Sequence, residues 1–292
     1  MIKRLAIIGV GLIGGSLALA LRRAGVVGEV VGAGRQQQNL ELALQRGIID
    51  RHTSDLLAAV DGADMVVVAA ALGATESILQ SIAAALAPNA VVTDVGSAKG
   101  SVVAAARKTL GMASGHFVPG HPIAGTERSG AAAAFADLFV DHKVILTPVS
   151  ETAADATARV KAMWCATGAA VVEMSVEAHD QALAATSHLP HLLAYNLVDT
   201  LASRADAAQI FEFAAGGFRD FTRIAASNPT MWAEIALANR DALLAASDDF
   251  ASRFEQIVAA LEANDRVALE ALFKRAQTVR QQLKVPESNA KP

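Results

Sequence analysis

Two short stretches gather residue types that a packed core does not select: Thr93-Asp94-Val95-Gly96-Ser97-Ala98-Lys99-Gly100 and Val118-Pro119-Gly120-His121-Pro122-Ile123-Ala124-Gly125-Thr126-Glu127. His121 stands between Gly120 and Pro122, which reads as a rigid loop that fixes where the imidazole points. An imidazole titrating near neutral pH is suited to accept a proton from a hydroxyl. An isolated loop histidine is as often structural as catalytic, so its neighbours decide. Ser97 is placed to orient His121 or to bond a substrate, although serine after glycine in a turn equally serves local backbone bonding. A third stretch comprises Ser187-His188-Leu189-Pro190-His191 and the run from Gly216 through Arg219, Asp220 and Arg223 to Trp232. A guanidinium there suits a carboxylate bidentately; the competing reading is a solvated helix face with i,i+4 pairs, and for the two histidines capping or core bonding. His179, Asp180, His188 and His191 also offer nitrogen and oxygen ligands to a metal. Pro190 interrupts the helical spacing such a site needs, so no metal is expected.

Gly9-Val10-Gly11-Leu12-Ile13-Gly14 directly follows an apolar run and opens a helical one, the placement a dinucleotide-binding turn requires. Gly9 permits the tight turn, Gly11 lets a pyrophosphate approach the backbone, and Gly14 lets helix pack on strand, while the helix N-terminus offers amides and positive dipole. A glycine-rich turn without a ligand is the alternative; the strand before it and a second strand near Glu29 to Ala33 argue against that. The second strand ends in Gly34-Arg35, without the acidic residue that would grip a ribose 2′-hydroxyl. Arg35 is free to pair with a 2′-phosphate, which favours NADP over NAD. The expected cofactor contacts are thus Gly9, Gly11, Leu12, Ile13, Gly14, Gly34, Arg35 and Ser97.

These residues need a frame. Apolar runs at Arg4 to Ile8, Glu29 to Ala33, Met65 to Ala70, Ala90 to Asp94, Phe117 to Pro119, Val144 to Thr147 and Ala170 to Glu173 alternate with helix-length segments. That alternation predicts an α/β fold with a doubly wound parallel sheet of Rossmann type. After about Ser175 the strand-like runs give way to helical periodicity over Val176 to Leu201, Ala205 to Ala214, Thr230 to Ala263 and Arg266 to Leu283, with Thr230 placed as a cap. The expected organisation is a dinucleotide-binding domain over 1–174, an all-α substrate and dimerisation domain over 175–285, and a loose tail over 286–292. So much apolar helical surface predicts a homodimer.

With 292 residues, two domains are the natural count. Lys plus Arg number 25 against 29 Asp plus Glu, which supplies no broad basic field for nucleic acid or an anionic membrane. No apolar run approaches the roughly 20 residues of a bilayer span. The start, Met1-Ile-Lys-Arg-Leu-Ala-Ile-Ile-Gly, reads as a buried strand rather than a secretory leader, and a cytoplasmic location is expected. The single Cys165 excludes an intramolecular disulfide and reads as a packed thiol rather than a nucleophile.

Together the Gly9 turn, Asp94-Val-Gly-Ser-Ala-Lys-Gly, Gly120-His-Pro-Ile-Ala-Gly-Thr-Glu, Ser187-His-Leu-Pro-His and Phe218-Arg-Asp-Phe-Thr-Arg with Met231-Trp232 resemble the prephenate/arogenate dehydrogenase family. The likeness runs from Gly9 to Trp232 and through the following helices. It implies a cleft between a nucleotide domain and a helical dimerisation domain, and oxidative decarboxylation of prephenate or arogenate on the route to tyrosine. It places the family's catalytic histidine on His121, its partner serine on Ser97, the substrate-carboxylate arginine on Arg223 and a second active-site histidine on His191. Thr126 and Glu127 match positions at the substrate entrance, Asp220 an acidic residue near that arginine, and Trp232 an aromatic residue that can reach a neighbouring subunit's site. Gly34 departs from the Asp of many relatives, which puts NAD use in doubt. A β-hydroxyacid dehydrogenase or imine reductase shares such a layout but would rely on a helical-domain lysine, and none lies between Lys161 and Lys274. A nucleotide sensor without catalysis is the remaining rival.

Overall fold

The computed structural model describes residues 1–126 and 128–283; the expected tail over 286–292 and Glu127 lie outside the described residues. Strands β1 (Ile2–Ile8), β2 (Val27–Ala33), β3 (Arg51–Thr53), β4 (Met65–Val68), β5 (Val91–Asp94) and β6 (Phe117–Val118) form one parallel sheet in the order β3-β2-β1-β4-β5-β6. This is the strand order of a doubly wound nucleotide-binding sheet. Helices α1 (Leu12–Arg23), α2 (Gln37–Gln45), α3 (Leu56–Val60), α4 (Thr75–Ile82), α5 (Lys99–Thr109) and α6 (Ala154–Cys165) belong to this half. Parallel strands are covered on both faces, so their residues read as continuous apolar runs. In β1, Leu5 and Ile7 join one core cluster with Leu17, Leu21 and Trp164, while Ala6 and Ile8 join the other with Val66, Leu79 and Ile82. Alternate side chains of one strand thereby anchor both layers.

The run after β6 departs from the expectation of one continuous sheet. A three-stranded sheet of β7 (Gly120–Pro122), β8 (Lys143–Leu146) and β9 (Ala170–Glu173) stands apart, with β7 antiparallel to β8 and β8 parallel to β9. His121 therefore lies in an edge strand opposite Ile145 rather than in a loop. Pro122 is tolerated because it sits at the end of that edge, where a missing amide costs no ladder bond.

The helical part comprises α7 (Val176–Leu183), α8 (Leu189–Ala202), α9 (Ala207–Glu212), α10 (Gly216–Thr222), α11 (Pro229–Ala238), α12 (Arg240–Glu262) and α13 (Arg266–Gln282). Between α7 and α8, Ala184–His188 winds as a π-turn, so the chain passes Pro190 without breaking: the proline takes an early position of α8, where its missing amide has no helical partner to lose. The cap of α11 is Asn228, whose side chain accepts from the Met231 amide at 3.1 Å, and not the expected Thr230. Secondary structure turns from strands to helices between Glu173 and Val176, whereas compactness divides the chain into Met1–Leu243 and Leu244–Pro292. The second unit carries exposed Phe250, Phe254, Leu261 and Phe273 on α12 and α13. Among the described residues, no helix is long and apolar enough to cross a membrane.

Candidate active site

Three glycines shape the turn after β1. Gly9 has φ of +100°, and a Cβ there would lie 2.3 Å from the Ala69 carbonyl oxygen; one on Gly14 would lie 2.4 Å from the Gly9 carbonyl oxygen and 2.8 Å from Ile7. Above Gly11, by contrast, a Cβ would meet nothing within 4 Å. The turn is closed on the protein side and open on the other. Gly11 caps α1 without a side-chain hydrogen bond, leaving helix N-terminal amides for an anion, and Asn39 pins the Val10 carbonyl at 2.7 Å. These features fit the pyrophosphate of a dinucleotide. Beyond β2, a Cβ on Gly34 would lie an ordinary 3.7 Å from its nearest neighbour, Leu40. Arg35 is exposed and forms no ion pair among the described residues.

The carboxyl edge of the sheet holds a polar chain that begins at β5 and α5. Asp94 and Lys99, 1% and 0% exposed, form a buried ion pair. Lys99 Nζ also donates to the Gly120 carbonyl at 2.7 Å, and Asp94 accepts from the Gly96 and Gly120 amides at 2.7 and 3.0 Å. At the start of α5 the Lys99 and Gly100 amides each donate to Asp180, both at 2.8 Å. Asp180 meets His179 Nδ1 at 2.7 Å, and His179 Nε2 meets His121 Nδ1 at 2.9 Å.

The donors and acceptors along this chain follow from charge. Burial pushes the Asp180 carboxyl upward, but hydrogen bonds from His179 and from the Lys99 and Gly100 amides outweigh it and hold the group below its ordinary value. A carboxylate only accepts, so His179 Nδ1 carries the proton and, in neutral His179, Nε2 accepts. His121 Nδ1 must then donate, which leaves the lone pair on His121 Nε2. Burial, with the Lys99 cation and two histidines nearby, holds His121 well below 6.5. The result is a neutral imidazole whose basic nitrogen has no protein partner among the described residues and is equipped to take a proton.

The hydrogen-bond partner of His121 Nδ1 is His179, not Ser97. Half-buried in the turn before α5, Ser97 makes no hydrogen bond to His121 among the described residues. His179 and Asp180 were visible in sequence as a possible ligand pair. Both His179 nitrogens are instead engaged, and among the described residues no group of three or more His, Cys, Asp or Glu is arranged to hold a metal. The adjacency of His179 and Asp180 was legible in sequence, but their meeting with His121, 58 residues away, was not.

On the helical side, His191 Nδ1 donates to the Ser187 carbonyl at 2.8 Å, and its ring stacks on Trp232 with centroids 3.5 Å apart. Trp232 thus packs within its own chain. Arg223 begins a short 3-10 turn after α10, is exposed, and its charge reaches His191, which burial chiefly holds below its ordinary value. Asp220 is exposed and forms no ion pair with Arg219 or Arg223 among the described residues. Thr126 is exposed and accepts from the Arg128 amide at 3.2 Å. His188, 2% exposed, is held near pKa 4, chiefly by burial, and approaches the Asn239 amide nitrogen at 3.1 Å.

A glycine turn open to a dinucleotide, with an oriented neutral imidazole at the carboxyl edge of the same sheet, defines a dinucleotide-dependent oxidoreductase. Two family models match the chain: prephenate dehydrogenase, nucleotide-binding domain, over residues 17–173, and prephenate dehydrogenase, dimerization domain, over residues 175–275. The chain belongs to the prephenate dehydrogenase family. It is 38% identical to a cyclohexadienyl dehydrogenase of Zymomonas mobilis over 97% of this chain and 96% of that one. The prephenate dehydrogenase of Aquifex aeolicus, solved with hydroxyphenyl propionate and NAD+, superposes with a TM-score of 0.90 at 34% identity, covering 97% of this chain and 98% of that one. Synechocystis arogenate dehydrogenase superposes at 0.82 with 29% identity, over 96% and 99%.

Proposed function

We propose that the chain catalyses oxidative decarboxylation of prephenate or arogenate, giving 4-hydroxyphenylpyruvate or tyrosine, with His121 as the base. The observation that carries this is the sequence of hydrogen bonds from Asp180 through His179 to His121 Nδ1, which leaves His121 Nε2 as the free basic nitrogen. Gly9, Gly11, Leu12, Ile13 and Gly14 would hold the pyrophosphate, with Ser97 near the reacting end. A bound nicotinamide accepts hydride at its C4 position. Strands β1, β4 and β5 are neighbours, so roughly 10 Å separates the end of β1 from that of β5, where Asp94 grips Gly120. That span suits a cofactor lying from the glycine turn toward His121.

His121 Nε2 takes the ring hydroxyl's proton as the hydrogen on the same carbon departs with its electron pair. The bond to the ring carboxylate then breaks, CO2 leaves, and the electron pair completes the aromatic ring, whose oxygen recovers a proton. Aromatisation makes the sequence effectively one-way. Arg223 holds a substrate carboxylate, His191 with Trp232 packed on it lines the side-chain end, and Thr126, Glu127 and Asp220 flank the entrance. NADP is favoured over NAD, since Gly34 offers no carboxylate to repel a 2′-phosphate and exposed Arg35 is free to meet it. The chain works as a homodimer: the matched dimerization model covers 175–275, and the apolar side chains of α12 and α13 are exposed.

The test is reduction of NADP and NAD with prephenate and with arogenate. Substrate-dependent reduction is expected; cofactor binding without it would favour a nucleotide sensor.

A further inference from the structure

Lys99 has no part in the reaction just described, yet it is the most deeply buried charge in the chain's polar cluster, at 0% exposure. Enclosing an ion pair costs desolvation that its mutual attraction barely offsets, and apolar residues of similar size usually serve stability as well or better. Folding alone gives little reason for a lysine at this position.

Its contacts all converge on His121. The Nζ donates to the Gly120 carbonyl at 2.7 Å and pairs with Asp94, which accepts the Gly120 amide at 3.0 Å. The peptide groups on both sides of Gly120 are therefore gripped by one ion pair, immediately before the imidazole-bearing residue. The backbone amide of the same lysine, with that of Gly100, holds both oxygens of Asp180 at 2.8 Å, and Asp180 sets His179 against the His121 ring. The backbone and the ring of His121 are thus tied to one residue at the start of α5.

We propose that Lys99 is a positioning residue for His121, fixing its peptide through Nζ and its imidazole through the Asp180 and His179 chain. This rests on His121 being the base. The charged and titratable groups around the ring are Lys99 from α5, Asp94 from β5, His179 and Asp180 from α7, and His188 from the π-turn. Burial lowers the Lys99 ammonium itself while the Asp94 contact opposes that shift, and burial first, then the Lys99 charge, hold His121 below its ordinary value.

The test is the pH profile of kcat/KM in Lys99→Met/Asp94→Asn, which replaces the buried pair without leaving either charge alone, and in Lys99→Arg. In the double variant the acid limb is expected to stay close to its wild-type position, since a cation and its paired anion are lost together. Its kcat at neutral pH should fall about tenfold with KM little changed. Lys99→Arg keeps the charge but not the compact contact with Gly120, so its kcat should fall while the limb stays in place. Wild-type kcat in the double variant, or a KM that rises along with the fall in kcat, overturns the proposal, since a general structural loss would not confine itself to turnover. Should the double variant not fold, full wild-type kcat in Lys99→Arg overturns it instead. Failure of the base assignment is separate: it shows as an active His121→Asn enzyme or as a wild-type profile with no acid limb.

Discussion

His121 Nδ1 and His179 Nε2 face each other at 2.9 Å, with the rings 61° apart in plane and 5.1 Å between centroids. The rings thus meet edge to edge with their planes twisted, as an in-plane N–H to lone-pair contact permits and a stacked pair would not allow. The direction of that contact is set elsewhere, by the Asp180 carboxylate on the far side of His179. A carboxylate two residues removed in the hydrogen-bonded chain therefore decides which nitrogen of His121 is basic.

Breaking this chain should lower turnover without loosening the substrate. His179→Phe keeps the ring volume but cannot accept from His121, and Asp180→Asn lets His179 adopt the wrong tautomer. Each is expected to reduce kcat by about tenfold to a thousandfold, as loss of an orienting group behind an imidazole does, with KM within about twofold. Steady-state kinetics on both variants checks this; a raised KM with unchanged kcat would mean that the chain serves binding.

Arg223 should show the opposite split. It is exposed, unpaired among the described residues, and close enough for its charge to be felt at His191. Arg223→Gln is expected to raise KM for either substrate by about tenfold or more while kcat falls less, because the guanidinium's charge-assisted contact with a substrate carboxylate is lost.

The preference between cofactors should turn on one position. A side chain at Gly34 meets only Leu40 at 3.7 Å, so Gly34→Asp is sterically accepted. The new carboxylate should repel a 2′-phosphate and bind a ribose hydroxyl, shifting the kcat/KM ratio toward NAD by about tenfold or more. Equal use of both cofactors before and after the change would show that Arg35 does not read the phosphate.

Stability should fall on mild acidification. Burial holds His188 near 4 in the folded chain against an ordinary 6.5, and His121 is also held well below 6.5. Between these values the unfolded chain binds protons that the folded chain does not, so unfolding becomes easier as pH falls from 6.5 toward 4 and is unaffected above that window. His188→Gln, which keeps an acceptor for Asn239, should flatten the decline in Tm across that range. An identical slope in the variant would assign the decline to other groups.

Much of this was legible in the sequence. The Gly9 turn, the Val-rich parallel strands and the shift to helical periodicity near Ser175 are local signals, and each element they predict is present within a few residues. What escaped was long-range. The short β3 and the separation of β7 from the main sheet depend on pairing partners far along the chain, Val31 to Ala33 and Lys143 to Leu146. His179 lies 58 residues from His121, so its role could not be read from spacing, while Ser97, nearer in sequence and in a familiar turn, attracted it. Asp94 and Lys99 stand in a recognisable motif, but nothing local shows that both are enclosed.

That His121 removes the substrate's hydroxyl proton is tested most directly by kcat of His121→Asn, with cofactor affinity recorded alongside. A fall of about a hundredfold or more is expected, with NADP and NAD binding as in the wild type. A variant that turns over at a rate near wild type would contradict it.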